Sequence, residues 1–232
     1  MVISFVQIER SSKPAKYDHM PNIEVEYRGR LSTREFSRLK KFMDKNGKFI
    51  RKMDRLSLIY LCPKAIKESP NQKYDDIDVR VRLDNGEMEI VLKYGSFEEE
   101  VGGGRKEISF KMLNDQFDEA VDFLKVLGFH KAYVQAQKKY IYRYNNIQFE
   151  LGYIKHFGNY FEVEVIVKNK KEMESANSKI FGLCKRLDIK YMDDLGIYQK
   201  AIDALNKKQE LFDFHKQTAK QLIRKYPEYF KM

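Results

Sequence analysis

The sequence predicts an α+β protein in which an eight-stranded antiparallel β-barrel carries helices packed on its outside. Three observations lead to this class. Apolar and charged residues alternate with period 2 through residues 22–167, short turn sequences join successive strands, and helical periodicity follows residue 168. Hairpin connections in sequential order favour a sheet that curls towards a barrel. We predict a barrel domain over 1–200 and a helical C-terminal extension over 201–232 packed on it.

The strand predictions rest on alternation and on turn residues. The predicted strands are 22–30, 49–61, 75–83, 87–94, 105–112, 130–143, 147–154 and 158–167. Asp84-Asn85-Gly86 and Asn145-Asn146 supply the residue types that tight hairpin turns require. These turns make the third and fourth strands, and the sixth and seventh, antiparallel neighbours.

Two helices interrupt the strands. The first begins at Ser32, whose side chain can cap the helix while Glu35 reaches back, and it ends near Asn46-Gly47. The second ends at Gly128 and is expected to bury a stripe formed by Phe117, Val121, Phe123, Leu124 and Leu127. Three further helices are predicted over 171–187, 195–209 and 210–226.

Composition narrows the functional classes. The chain carries 44 Lys and Arg against 34 Asp and Glu, and this excess of positive charge favours anionic partners such as nucleotides, polyphosphate or nucleic acid. Cys62 and Cys184 lie far apart and suggest neither a disulfide framework nor a zinc site, which predicts a reducing cytoplasm. The sequence contains no run of about 18 apolar residues, so we expect a soluble protein without a membrane partner.

One face of the predicted strands carries most of the charge. Pairs of carboxylates occur at both ends of the strand region (Glu24 with Glu26, Glu162 with Glu164), and Arg80 with Arg82 lie between them. Side chains two apart on a strand share a face, and carboxylates that close repel unless a positive group lies between them. A solvated surface is the simpler interpretation of any one strand. A barrel with helices outside, however, encloses this face, where charges need partners, an ion or a ligand.

The segments IEVEYR, DVRVRL, IVLKYG, RKEIS, QKKYIY and HFGNYFEVEV, in this order, resemble the CYTH superfamily of triphosphate tunnel metalloenzymes. The resemblance covers about 22–167, with 171–200 as the closing segment. That superfamily includes adenylyl cyclases, thiamine triphosphatases, inorganic triphosphatases and RNA 5′-triphosphatases. The resemblance implies a β-tunnel that binds a triphosphate lengthwise, with Mg²⁺ or Mn²⁺ as cofactor.

The resemblance also implies roles for single residues. The expected catalytic residues are Glu24, Glu26 and Arg28. The expected substrate-binding residues are Arg28, Arg80, Arg82, Lys93, Arg105 and Lys139. The expected metal ligands are Glu24, Glu26, Glu150, Glu162 and Glu164, where Glu150 substitutes for an aspartate that the family has at Gly152. A second departure is Gln137, at a position where the family has lysine.

The leading functional hypothesis is divalent-metal-dependent hydrolysis of an inorganic, nucleoside or other organic triphosphate. No His, Ser or Cys nucleophile is needed, in keeping with the absence of such a constellation in the sequence. An adenylyl cyclase that converts ATP to cyclic AMP and pyrophosphate is one alternative, and a non-catalytic polyphosphate- or nucleic-acid-binding module is another. The expected partner is a triphosphate-containing small molecule; nucleic acid and a second copy of the chain stay open.

Overall fold

The computed structural model describes residues 23–68, 76–95, 106–113, 115–168, 170–192 and 195–230. Within these ranges the strands are β1 (Ile23–Leu31), β2 (Lys48–Tyr60), β3 (Asp76–Asp84), β4 (Glu87–Gly95), β5 (Lys106–Met112), β6 (Lys131–Tyr144), β7 (Ile147–Ile154), β8 (Gly158–Val167) and β9 (Glu210–Asp213). The helices are α1 (Thr33–Asn46), α2 (Lys64–Lys67), α3 (Phe117–Val126), α4 (Met173–Leu187), α5 (Leu195–Asn206) and α6 (Ala219–Lys225).

The strands form one antiparallel sheet in the order β1-β8-β7-β6-β2-β3-β4-β5. All eight predicted strands are present, each within one residue of its predicted ends, and the fold class is confirmed. β1 and β5 are the two ends of this order, and no pairing between them is found in the described part of the chain. The continuous ring of hydrogen bonds of a closed barrel is therefore not seen there.

The two predicted hairpin turns are confirmed by their backbone conformations. Asn85 and Gly86 have φ values of 52° and 87°, and Asn145 and Asn146 have φ values of 50° and 61°. Two successive left-handed residues are what the common two-residue hairpin turn requires. Asparagine and glycine reach this region at low cost, so the local sequence fixes the register of the β3–β4 and β6–β7 pairs.

The start of α1 is a capping box, as predicted. The Glu35 backbone N–H donates to the Ser32 hydroxyl at 3.2 Å, and the Ser32 backbone N–H donates to the Glu35 carboxylate at 2.7 Å. Two helix-end donors are thereby satisfied by side chains. Leu39 and Met43 on the same helix are fully buried against the sheet.

We expect Ser32→Ala to lower the free energy of unfolding by about 1 kcal/mol, because the capping acceptor is lost. Ser37 lies on the exposed side of the same helix and provides the matched control. Ser37→Ala should be neutral or slightly stabilising, since alanine has the higher helix propensity. Urea unfolding of both variants measures the difference, and equal effects at the two serines would contradict the capping role.

Two hydrophobic cores pack helices on the apolar face of the sheet. The first joins α1 and α4 to β1, β7 and β8, with Leu39, Phe161 and Ile180 at its centre. The second joins α3 and α6 to β2, β3 and the start of β6, with Leu124 and Leu222 among its buried residues. Both cores lie opposite the charged face that the alternation predicts.

The predicted stripe on α3 is partly wrong. Its buried residues are Phe117, Ala120, Val121 and Leu124, whereas Phe123 and Leu127 are more than half exposed. The buried set follows the spacing i, i+3, i+4, i+7 of one helical face, and Phe123 is off that track. Leu127 lies just beyond the end of the helix, at its C-cap.

The helix predicted over 210–226 is also wrong, because Glu210–Asp213 forms strand β9 before α6 begins. The backbone of β9 pairs with Lys131–Val134 at the start of β6, along the part of the β6 edge with which β7 does not pair. Phe212 and Phe214 both enter the second core, and their spacing of two residues is the period of a strand. The extension therefore contributes a strand to the main sheet, and the boundary at residue 200 stays a prediction.

Two expectations from the sequence concern the cysteines and membrane-spanning segments. Cys62 and Cys184 are not joined in a disulfide. Among the described helices, none is long and apolar enough to cross a membrane.

Candidate functional site

The charged face of the sheet is partly buried, although both helix layers pack on the opposite face. Arg82, Lys139 and Glu150 are each no more than 9% exposed. Ion pairs on this face also pass over an intervening strand: Lys139 on β6 reaches Glu162 on β8, and Arg82 on β3 reaches Glu107 on β5. Because these charged side chains are buried on a face that carries neither helix layer, the sheet curls around this face, which we call the inner face.

Carboxylates concentrate on the inner face of β1, β7 and β8, where strand pairing brings both predicted carboxylate pairs together. Glu26 lies opposite Glu164, and Glu162 lies between Arg28 on β1 and Glu150 on β7. We call this group, with its basic and amide neighbours, the acidic cluster. It consists of Glu26, Arg28, Lys139, Gln148, Glu150, Glu162 and Glu164.

Lys139 is the central cation of the acidic cluster. Its ammonium donates to Glu150 at 2.6 Å and also to Glu162. Burial opposes ionisation of Glu162, but Lys139 and Arg28 outweigh it and hold the pKa of this carboxyl well below its usual range. Burial raises the pKa of Glu150 above its ordinary value, with Lys139 acting in the opposite direction. Although burial disfavours a charged lysine, the carboxylates raise the pKa of Lys139 well above its ordinary value.

The outer part of the cluster is also internally paired. Arg28 donates to Glu26 with atoms 2.6 Å apart, and its Nε lies 3.9 Å from Glu162. Gln148 donates to Glu164 at 2.6 Å and to Glu150 at 2.9 Å. The described carboxylates of the two pairs thus face the protein's own cations and one amide. Lys139, predicted as a phosphate ligand, is here a counterion of two predicted metal ligands.

Cations on β3 and β4 form a basic row. Arg80 contacts Asp78 through two guanidinium nitrogens, and Lys93 contacts Glu107 at 2.9 Å. Arg82 is shared between Glu89 and Glu107 at 3.3 and 3.2 Å. Burial opposes ionisation of Glu107, but Lys93 and Arg82 lower the pKa of its carboxyl.

One donor of this row lacks an acceptor among the described residues. The buried Nε of Arg82 has no hydrogen-bond partner in the described structure, and neither has the Nε of Arg55 on β2. A buried guanidinium nitrogen without an acceptor is costly, and a phosphate oxygen would satisfy it.

A pocket of about 200 Å³ opens beside the basic row, lined by Arg51, Arg55, Asp84, Glu87, Met88, Glu89 and Lys111. Arg55 and Arg51 both contact Asp84, at 2.9 and 3.3 Å. Neither arginine is among the site residues predicted from the sequence. Their spacing of four along β2 puts them on one face, but Met53 between them and Ser57 and Ile59 beyond them interrupt the charge pattern.

The two departures from the family pattern contact the same aromatic ring. Tyr160 on β8 lies opposite Gly152 on β7, and a Cβ atom at Gly152 would lie 2.3 Å from the ring. The side-chain amide of Gln137 donates to the Tyr160 hydroxyl. Tyr160 is not among the site residues predicted from the sequence; its position two residues before Glu162, on the same face, was the available signal.

The donor chemistry of the acidic cluster fits a hard divalent cation. Mg²⁺ and Mn²⁺ prefer carboxylate oxygens, and Glu150 and Glu162 already hold a cationic group between them. As these side chains stand, the described residues contain no group of three His, Cys, Asp or Glu that could hold a metal ion. Glu24 belongs to β1, but its side chain and the whole of Arg105 lie outside what the structure describes.

Comparison with protein-family models gives a match to the CYTH domain over residues 22–194. A search of curated proteins finds no match. Solved structures are similar at the level of fold. A protein from Pyrococcus horikoshii shares 24% identity at a TM-score of 0.57, with 75% of this chain and 96% of that chain covered.

Two other solved structures carry functional descriptions. A candidate adenylate cyclase from Vibrio parahaemolyticus has 12% identity and a TM-score of 0.57, covering 78% of this chain and 98% of that one. A candidate adenylyl cyclase from Hippeastrum, whose structure is described as revealing a dominant triphosphatase activity, has 15% identity and a TM-score of 0.53. The match covers 75% of this chain and 91% of the Hippeastrum chain. At these identities the likeness concerns the fold alone.

Proposed function

The chain belongs to the CYTH domain family, and from this premise we propose that it hydrolyses a triphosphate substrate on the inner face of the sheet with the help of Mg²⁺ or Mn²⁺. The observation that carries the proposal is the presence of the acidic cluster and the basic row on the same inner face of one sheet. The acidic cluster suits a divalent ion, and the basic row suits phosphate oxygens.

The proposed metal ligands are Glu24 of β1 and the carboxylates of the acidic cluster, Glu26, Glu150, Glu162 and Glu164. When bound, a divalent ion polarises a phosphoryl oxygen and lowers the pKa of the attacking water. The chain's own contribution is clearest at Glu162, because Lys139 and Arg28 keep the pKa of this buried carboxyl low against the opposing effect of burial.

The basic row is the proposed phosphate-binding surface. Arg82 offers an unsatisfied Nε, and its terminal nitrogen is divided between two carboxylates at distances above 3 Å. Phosphate oxygens would compete with Glu89 and Glu107 for these donors, and the bound donors would offset the charge that develops on the leaving group. Arg28, Arg80, Lys93, Arg105 and Lys139 complete the proposed set of substrate ligands.

Product analysis tests the reaction class. We would incubate the protein with Mg²⁺ or Mn²⁺ and, separately, tripolyphosphate, ATP, thiamine triphosphate and an RNA 5′-triphosphate. Release of orthophosphate supports hydrolysis, whereas pyrophosphate with cyclic AMP from ATP identifies a cyclase. The triphosphatase activity described for the Hippeastrum structure is consistent with the first outcome. Binding without turnover of any substrate would identify a non-catalytic module.

We expect tripolyphosphate with Mg²⁺ to raise the melting temperature, because anion and metal together balance the charges on the inner face. The added free energy of unfolding is RT ln(1 + [L]/Kd), about 2.7 kcal/mol when the ligand is in hundredfold excess over Kd. Differential scanning fluorimetry measures the shift. Sulfate at equal ionic strength is the control, and an equal shift with sulfate would contradict a polyphosphate site.

A further inference from the structure

An aromatic side chain closes one end of the inner face. Tyr160 lies two residue pairs away from the β7–β8 turn and is only 3% exposed. Phe157 in that turn packs edge-on against the Tyr160 ring, with centroids 6.1 Å apart. Arg30 covers Phe157 at 4.7 Å and donates to its carbonyl oxygen at 2.7 Å. The inner face of β8 is therefore filled by side chains beside this turn.

The space for this ring depends on Gly152 and Gln137. A Cβ atom at Gly152 would approach the ring carbons and the hydroxyl to within 2.5 Å, so any side chain there would displace Tyr160. Gln137, a neutral donor, satisfies the phenolic oxygen. Gly152 leaves the room that the ring occupies and Gln137 provides the donor for its hydroxyl, so the three residues form one unit.

The ring also borders the acidic cluster. The Lys139 ammonium lies 5.7 Å from the centre of the Tyr160 ring while it contacts Glu150 and Glu162. On this side of Lys139 the next surface is the Tyr160 ring, so a phosphoryl group that extended past Lys139 would have to occupy the volume of the ring.

We propose that Tyr160, seated on Gly152 and held by Gln137, sets the length of the phosphate chain that the inner face accepts, admitting a triphosphate and excluding longer polyphosphates. The inference rests on the proposed triphosphate function. Tyr160 acts as a specificity-determining wall: a phosphate chain anchored at the acidic cluster cannot extend past it.

Three variants test the wall. Tyr160→Ala and Tyr160→Leu shorten it to different degrees, and Tyr160→Phe retains the ring and serves as the matched control. For each we would measure kcat/KM with tripolyphosphate and with linear tetraphosphate, and the melting-temperature shift that each compound gives with Mg²⁺. The ratio of the two substrates is compared among variants, so a general loss of activity does not affect the result.

We expect the tetraphosphate-to-tripolyphosphate ratio to rise by about tenfold or more in Tyr160→Ala, to rise less in Tyr160→Leu, and to stay unchanged in Tyr160→Phe. The melting-temperature shifts should follow the same order. An unchanged ratio in Tyr160→Leu and in folded Tyr160→Ala overturns the inference while leaving the triphosphate function intact. A wild-type protein that uses both compounds equally well also overturns it. Wild-type protein that neither binds nor hydrolyses tripolyphosphate removes the proposed function, and this inference with it.

Discussion

Glu162→Gln is expected to lower the metal-dependent turnover of triphosphate by about two orders of magnitude or more while the protein remains folded. Glutamine has nearly the same shape but carries no charge, so it is a poor ligand for a hard divalent ion. The substitution also weakens the group of carboxylates that positions the metal ion. A misplaced ion would polarise the substrate and activate water less well. Lys139 retains Glu150 as its partner, so the acidic cluster keeps one ion pair.

The comparison requires a control with the same chemical change elsewhere. Glu174 is exposed on α4, on the helix side of the sheet, and Glu174→Gln should leave turnover unchanged. Glu150→Gln is a companion variant, because it asks whether Glu150 replaces the aspartate that the family pattern has at Gly152. Isothermal titration with Mn²⁺ gives a readout independent of turnover. If Glu162→Gln and Glu150→Gln both keep wild-type turnover and Mn²⁺ affinity, the metal assignment is wrong.

Local sequence determined the parts of the fold that were predicted correctly. The turn at Asn85-Gly86 and the capping box at Ser32 each depend on residues within three positions of one another, so a linear pattern reveals them. Alternation then fixed which side chains share a face, because a strand has period 2. The charged and apolar faces of the sheet follow from that alternation alone.

Features that depend on distant segments could not be predicted in this way. β9 forms because the start of β6 has an unpaired edge, which is a property of the sheet and not of residues 210–213. The contact of Tyr160 with Gly152 and Gln137 requires the registers of three strands. Likewise, the sequence places Lys139 on the inner face, but only the curl of the sheet brings it to Glu162, two strands away.

Lys139→Met is expected to lower the free energy of unfolding at neutral pH by about 3–5 kcal/mol, the usual cost of removing one partner from a buried ion pair. Methionine fills most of the volume, so the loss reports charge and not a cavity. Glu150 and Glu162 would then remain in a buried place without their shared cation. The neighbouring Lys138 is largely exposed and has a single carboxylate contact, at 3.7 Å, so Lys138→Met should change stability by no more than about 0.5 kcal/mol.

The effect of Lys139→Met should depend on pH with a definite sign. In the wild type, Glu162 has a lowered pKa, so its stabilising contribution is present above the ordinary glutamate pKa and is lost as the pH falls. Lys139 has a raised pKa, so its contribution is present below the ordinary lysine pKa and is lost as the pH rises through the folded value. The variant should therefore differ from the wild type most between about pH 5 and pH 10 and least in acid, where Glu162 and Glu150 can take up protons.

Urea unfolding at neutral and acidic pH measures this difference. The double variant Lys139→Met/Glu150→Gln should recover part of the lost stability, because one of the two unpaired charges is removed. Mn²⁺ should stabilise Lys139→Met more than it stabilises the wild type, since the ion can restore the positive charge that the two carboxylates have lost. Equal destabilisation by Lys139→Met and Lys138→Met, with no dependence on pH, would contradict a buried cluster held together by Lys139. That result would mean that Lys139 behaves like the exposed Lys138.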